Sequence, residues 1–171
     1  LKEYRETVTI ATTTLPRPLV ADSLGVSADT LPEGDLPLGR FAERYLDYLR
    51  ATYETEAFDA HPDYWTDLLM AALVDDHPET ALDAICAALA LCDDVEEVEI
   101  IAAGPLEDLM DAHGADLLFR LDEIASNAPR FRLALALLWQ EAPGKPLLVA
   151  RVKGLAGGAD PEGDLPPSDG L

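Results

Sequence analysis

The sequence predicts a mainly α-helical fold: stacked helical hairpins, about six helices in all, with flexible arms and room for one short terminal strand pair. Three observations lead there. Ala and Leu dominate a hydrophobic fraction of 49%, and both favour helix. Apolar residues recur at helical spacing over most of the span 38–142. Aromatics make up only 6%, too few for a β-sandwich core or a stacking-based nucleic-acid binder. At 171 residues the chain can hold one domain with a real core plus tails.

Residues 1–37 read as an N-terminal arm rather than a helix. Tyr4, Thr7-Val8-Thr9-Ile10 and Thr12 to Thr14 are β-prone and suit one short strand. Pro16, Pro18, Pro32 and Pro37 then interrupt the chain repeatedly. The helical domain is expected over 38–142. Phe41, Tyr45, Tyr48 and Leu49 fall on one face of its first helix. His61-Pro62-Asp63 opens the next, with Tyr64, Trp65, Leu68, Leu69 and Leu73 as its apolar set. Asp76 and Glu79 have capping-box spacing, and Pro78 falls in a first turn, where its missing N–H costs nothing. Leu82, Ile85, Cys86 and Leu89 line that helix.

Asp93 and Glu96 repeat the capping spacing before Val95, Val98, Ile100 and Ile101. Gly104-Pro105 breaks this helix and restarts a turn at Leu106, Leu109 and Met110. Gly114 separates it from Leu117, Leu118, Leu121 and Ile124. Asn127 is a candidate cap for a central last helix carrying Phe131, Leu135, Leu138 and Trp139. Residues 143–153 hold a candidate strand, Leu147 to Val152, able to pair with the N-terminal one. Residues 154–171, rich in Gly, Pro and Asp, read as a disordered acidic tail.

Two internal similarities stand out. His61-Pro62-Asp63 with Leu68-Leu69 is echoed 16 residues later by His77-Pro78-Glu79 with Ala84-Ile85, as in successive helices of a hairpin pair. The hexapeptide Pro-Glu-Gly-Asp-Leu-Pro occurs at 32–37 and again at 161–166. It reads either as a docking motif or as biased loop composition.

Charge is the strongest signal. The net charge is −21, from 33 acidic and 12 basic residues. Residues 51–119 contain 18 Asp or Glu and no Lys or Arg. Such a surface repels nucleic acid and anionic membranes and attracts basic partners. A GC-rich genome or a salt-adapted proteome is the bland explanation. The acids cluster at Asp93, Asp94, Glu96, Glu97 and Glu99, and again at Glu107, Asp108 and Asp111. These eight are the candidate partner-binding residues.

Other chemistry finds little support. Cys86 and Cys92, six residues apart, read as small core residues rather than a disulfide. His61, His77 and His113 lack the spacing of a metal-binding helix. Ser23, Ser27, Ser126 and Ser168 occupy no nucleophile elbow, and no phosphate loop or dinucleotide glycine pattern occurs. The acids at Glu107 and Asp108 complement a helix N-terminus without any catalytic role. No catalytic residue, metal or cofactor is therefore expected. No signal peptide or membrane-length apolar run is recognisable, so a cytoplasmic location is expected. The start at Leu1 rather than Met suits a processed or trimmed terminus.

The stretch 61–139 resembles an uncharacterised bacterial family of small helical domains of unknown function. The resemblance rests on Trp65 with Leu69, Asp76-His77-Pro78-Glu79 with Ala81, His113-Gly114, and Pro129-Arg130-Phe131 with Trp139. Its most specific block is Ala102-Ala103-Gly104-Pro105-Leu106-Glu107-Asp108-Leu109. The resemblance implies a helical fold and a bacterial origin, and no activity.

The favoured reading is a non-enzymatic acidic protein that docks on a basic protein partner. Concrete versions are an immunity protein or antitoxin covering a nuclease toxin, or a nucleic-acid mimic with carboxylates spaced like phosphates. The alternative is a structural or assembly component, for example of a phage-like particle, acting through its terminal arms.

Overall fold

The computed structural model describes residues 12–138 and 145–171. Nearly all regular structure there is helical. A two-strand antiparallel sheet joins β1 (Thr14–Leu15) to β2 (Leu36–Pro37), with Leu15 opposite Leu36. Both strands come from the segment read as an arm, so the sheet does not link the two termini. The β-prone residues Tyr4 and Thr7 to Ile10 lie outside the described residues.

Between the strands runs α1 (Arg17–Ser23), which buries Val20 and Ala21. The arm thus contains a helix that the sequence reading excludes. Pro16 and Pro18 read as breakers there, but they sit at the N-cap and in the first turn. At those positions no helical N–H is needed and the fixed proline φ suits the helix.

α2 (Leu38–Thr52), α3 (Tyr64–Asp76) and α4 (Pro78–Ala90) follow. α2 buries Phe41, Tyr45 and Tyr48 as its spacing predicts. α3 and α4 pack together and are joined through His77 alone, the hairpin that the 16-residue similarity suggests. Asp76 ends α3, and no side chain caps α4. The expected capping box there does not form, because His77 takes the cap position. Pro78 does open the helix. α3 is also turned relative to its expected face. It buries Thr66, Leu69, Met70, Leu73 and Val74, while Leu68 is 46% exposed.

α4 is the hub. It packs on α2, α3, α5, α6 and α8, and Leu82, Ile85 and Leu89 are fully buried. α5 (Val95–Ile101) and α6 (Glu107–His113) are linked by a π-helical turn, Ala102–Leu106. Gly104-Pro105 therefore kinks a helical rod where the sequence suggests a break. Gly104 leaves helical geometry at φ −109° and ψ −109°, and Pro105 has no N–H to place in the ladder. α7 (Leu118–Asn127) and α8 (Pro129–Leu137) follow, with Phe131, Leu133 and Leu135 buried in α8. Asn127 closes α7, its amide donating to the Glu123 carbonyl at 3.0 Å, and does not cap α8. Trp139 lies outside the described residues.

Residues Pro146–Ala156 form α9, not the strand expected within 143–153. Val152 and Ala156 are buried, and Leu148 and Leu155 pack beside them. That spacing of four, three and one belongs to a helix. A short run such as Leu147 to Val152 hides it.

The segment read as a disordered tail also packs down. Leu165 and Leu171 rest against the core. Arg130, 8% exposed, donates to the carbonyls of Leu89, Ala90 and Cys92 at 3.0, 3.0 and 3.1 Å and to Pro166 at 2.9 Å. One guanidinium closes the C-terminal end of α4 and pins residue 166.

Candidate functional site

Two groups of acids stand out on or beside α3, α5 and α6. The first is spent internally. Arg50, on α2, makes a bidentate pair with Glu97 at 2.5 and 3.0 Å and reaches Asp93 at 2.8 Å. Asp94 caps α5 by accepting from the Glu97 N–H at 2.9 Å. Glu97 in turn accepts from the Asp93 N–H at 2.8 Å. The cap lies one residue later than the Asp93 and Glu96 spacing suggests. Asp111 meets Lys145 through both its carbonyl and its carboxylate. Arg50 and Lys145 both lie outside the cation-free stretch 51–119, which is why the linear sequence conceals these pairs.

The second group faces one cleft of about 470 Å³. Glu96 and Glu99 come from α5, Asp108 from α6 and Asp67 from α3. None of the four has an ion-pair partner among the described residues. Among the described residues no Lys, Arg or His lines the cleft. Its floor is apolar: Met70, Val74, Ile100 and Pro105. Tyr45, Leu49 and Tyr53 form the wall contributed by α2 and its end.

The π turn shapes this site. Ala103, Gly104 and Pro105 line the cleft directly. They belong to the Ala102 to Leu109 block singled out in the sequence, and π turns recur at functional sites.

The carboxylates differ electrostatically. Burial holds Asp67 above the usual carboxylate range. Burial, with help from Asp111 and Asp108, does the same to Glu107, which sits beside the cleft and does not line it. Glu97 is held below that range, chiefly by its hydrogen bond to Arg50. Burial pushes the Tyr45 hydroxyl well above its ordinary value, and Asp67 and Asp108 add to the shift.

Of the eight candidate residues, then, Glu96, Glu99 and Asp108 meet at the cleft. Asp93, Asp94, Glu97 and Asp111 serve local structure, and Glu107 stands between the two groups. Asp67, Tyr45 and Tyr53 were missed by the sequence reading. Tyr45 looks like plain core in an amphipathic pattern. The one available signal for Asp67 is its place as the single acid within the apolar run 64–74.

The residues of the cleft fall largely within one sequence-family unit. A family profile matches residues 53–158, more than half of the chain. The chain belongs to the family of unknown function DUF6869. The DUF6869 match includes Asp67, Glu96, Glu99, the π turn and Asp108, and leaves out Tyr45 and Leu49 on α2. It also encloses the stretch 61–139 that carries the sequence resemblance. No curated protein and no solved structure matches the chain.

No group of three or more His, Cys, Asp or Glu able to hold a metal occurs among the described residues. His61 accepts from the Asp63 N–H at 3.1 Å and stacks edge-on to Tyr48. His113 bonds the Asp75 carbonyl at 3.2 Å. Cys86 and Cys92 are buried free thiols. No helix among the described residues is long and apolar enough to cross a membrane.

Proposed function

We propose that this chain is a non-enzymatic acidic binding protein that docks on a basic protein partner in the cytoplasm of a bacterium. The docking face is the rod formed by α5, the π turn and α6. One observation carries the reading. Asp93, Glu97 and Asp111 are paired to cations of this chain, whereas Glu96, Glu99, Asp108 and Asp67 converge on one cleft with no cation. Salt adaptation scatters unpaired acids over a surface, and Glu54, Glu56, Asp59, Asp75 and Asp76 are exposed acids of that kind here; scatter does not account for a shared cleft. Convergence of four on an apolar-floored cleft suits recognition of a cationic group.

An immunity protein or antitoxin covering the cationic substrate site of a nuclease is the concrete form that fits this charge. Long-range steering makes such association fast and salt-sensitive. The alternative is a structural or assembly component acting through its terminal arms, in which Pro32 to Asp35 of the first hexapeptide are exposed. Other parts of the described arms rest on the core, at Leu15, Val20, Leu36, Leu165 and Leu171.

The test is capture of a basic protein from host extract by the wild-type chain and by the E96Q/E99Q/D108N variant. The expected partner is retained by wild type, released between about 0.05 and 0.3 M salt, and not retained by the variant. Retention that ignores both salt and the three substitutions overturns the proposal.

A further inference from the structure

We infer that the cleft accepts a single arginine side chain of the basic partner, its stem on the apolar floor and its guanidinium at the carboxylate rim. This rests on the docking reading and adds the chemistry of the contact.

Acidic residues alone do not define a ligand site, and here a second, independent observation points to one. Tyr45 is only 2% exposed. Its hydroxyl makes no hydrogen bond among the described residues. It is one of the cleft-lining residues, within electrostatic reach of Asp67 and Asp108. The oxygen itself still touches solvent, since the buried side-chain atoms without a partner among the described residues are Arg17 Nε and Arg120 Nε, so it stands open to a donor entering the cleft. A guanidinium N–H entering the cleft supplies the missing donor to its oxygen. The hydroxyl proton is then free to turn toward a carboxylate.

Asp67 repeats the pattern. It lines the cleft from α3, half-buried and with no ion pair or hydrogen bond among the described residues. Its burial already disfavours the charged form, and a cation held beside it reverses that.

The shape selects arginine over lysine. The acceptors stand on three separate elements: α3, α5 and α6. A planar fork with five donors addresses several acceptors at once, whereas an ammonium is compact and strongly hydrated. Met70, Val74, Ile100 and Pro105 provide the apolar path for the stem. Tyr53 lines the same cleft and is 51% exposed, and its ring is of the kind on which guanidinium stacks. The cleft volume of about 470 Å³ admits the side chain with part of its flanking backbone.

The experiment titrates the full chain with n-butylguanidinium, n-butylammonium and guanidinium ion at low salt, followed by NMR. The expected result is saturable shifts confined to Met70, Ala71, Ile100 and Ala103, with n-butylguanidinium the tightest of the three. D67N and Y45F each weaken it by about three- to ten-fold, with unchanged far-UV circular dichroism showing that both variants fold. Shifts that do not saturate, equal binding of all three cations, or binding unaffected by both substitutions overturns the inference.

The two proposals fail separately. If the analogue does not bind but capture still depends on Glu96, Glu99 and Asp108, the arginine inference falls and the docking reading stands. If the analogue binds as expected but no salt-sensitive partner is captured, the docking reading falls, and with it the assignment of the arginine to a partner protein.

Discussion

Arg50 and Glu97 form a two-bond pair across α2 and α5, at 2.5 and 3.0 Å. The pair fastens one edge of the acidic rod to the helix that supplies Tyr45. Arg50→Ala removes it and frees Asp93 and Glu97 as unbalanced charges. Because Arg50 is itself 37% exposed, the loss is modest, about 0.5–1.5 kcal/mol by urea denaturation.

The same pair has a pH signature. Glu97 is held below its ordinary value in the folded chain, so its contribution is present above the unfolded carboxylate pKa. It is lost as pH falls through the lower, folded value. Acid titration of stability for wild type and Arg50→Ala checks this. The variant lacks that component of the acid-side loss.

Asp67 works in the opposite direction. Burial raises its pKa, so the folded state binds the proton more tightly than the unfolded state. Stability from this group therefore falls as pH rises between the two values, and is lowest at neutral pH. Asp67→Asn is expected to raise Tm at pH 7 by about 1–4 °C, read by calorimetry, while weakening cation binding. A substitution that lowered Tm would mean that Asp67 is needed structurally.

Arg130 joins four backbone carbonyls. Arg130→Ala leaves three of them, at the buried end of α4, without this donor. The expected cost is about 3 kcal/mol or more. Limited proteolysis should then cut residues 157–171 faster than in wild type, because the anchor at Pro166 is gone.

Gly114 tests packing between α6 and α9. A Cβ at this position would lie 2.5 Å from the Met110 carbonyl oxygen and 3.0 Å from a methyl carbon of Leu148. Gly114→Ala should cost about 1–3 kcal/mol, measured as a shift of the denaturation midpoint.

Cys86 and Cys92 have thiols pushed up by burial to about 12. Both should resist a thiol-reactive reagent at pH 8 in the native chain and react promptly in denaturant.

The helical class, the order of the main helices and most of their buried faces were legible in the sequence. Helical period is a local property, and α2, α4, α6 and α8 bury Phe41, Leu82, Leu109 and Phe131 as their spacing demands. The termini were misread for a physical reason. Prolines at a helix start and prolines in a loop look alike, so α1 was lost. A six-residue apolar run fits strand and helix equally, so the sequence does not distinguish α9 from a strand. The tail's order depends on Arg130, 36 residues from Pro166 in sequence.

The concentration of negative charge, with no cation from 51 to 119, is a property of the sequence alone. Which of those acids remain open is not. Arg50 and Lys145 reach in from outside the stretch and neutralise some of them. The kink at Gly104-Pro105 and the rotation of α3 bring Asp67 and the hydroxyl-bearing Tyr45 to the others. Pairing and convergence depend on distances between separate helices. Only packing sets those distances, and so only the tertiary structure turns an acidic composition into a cleft.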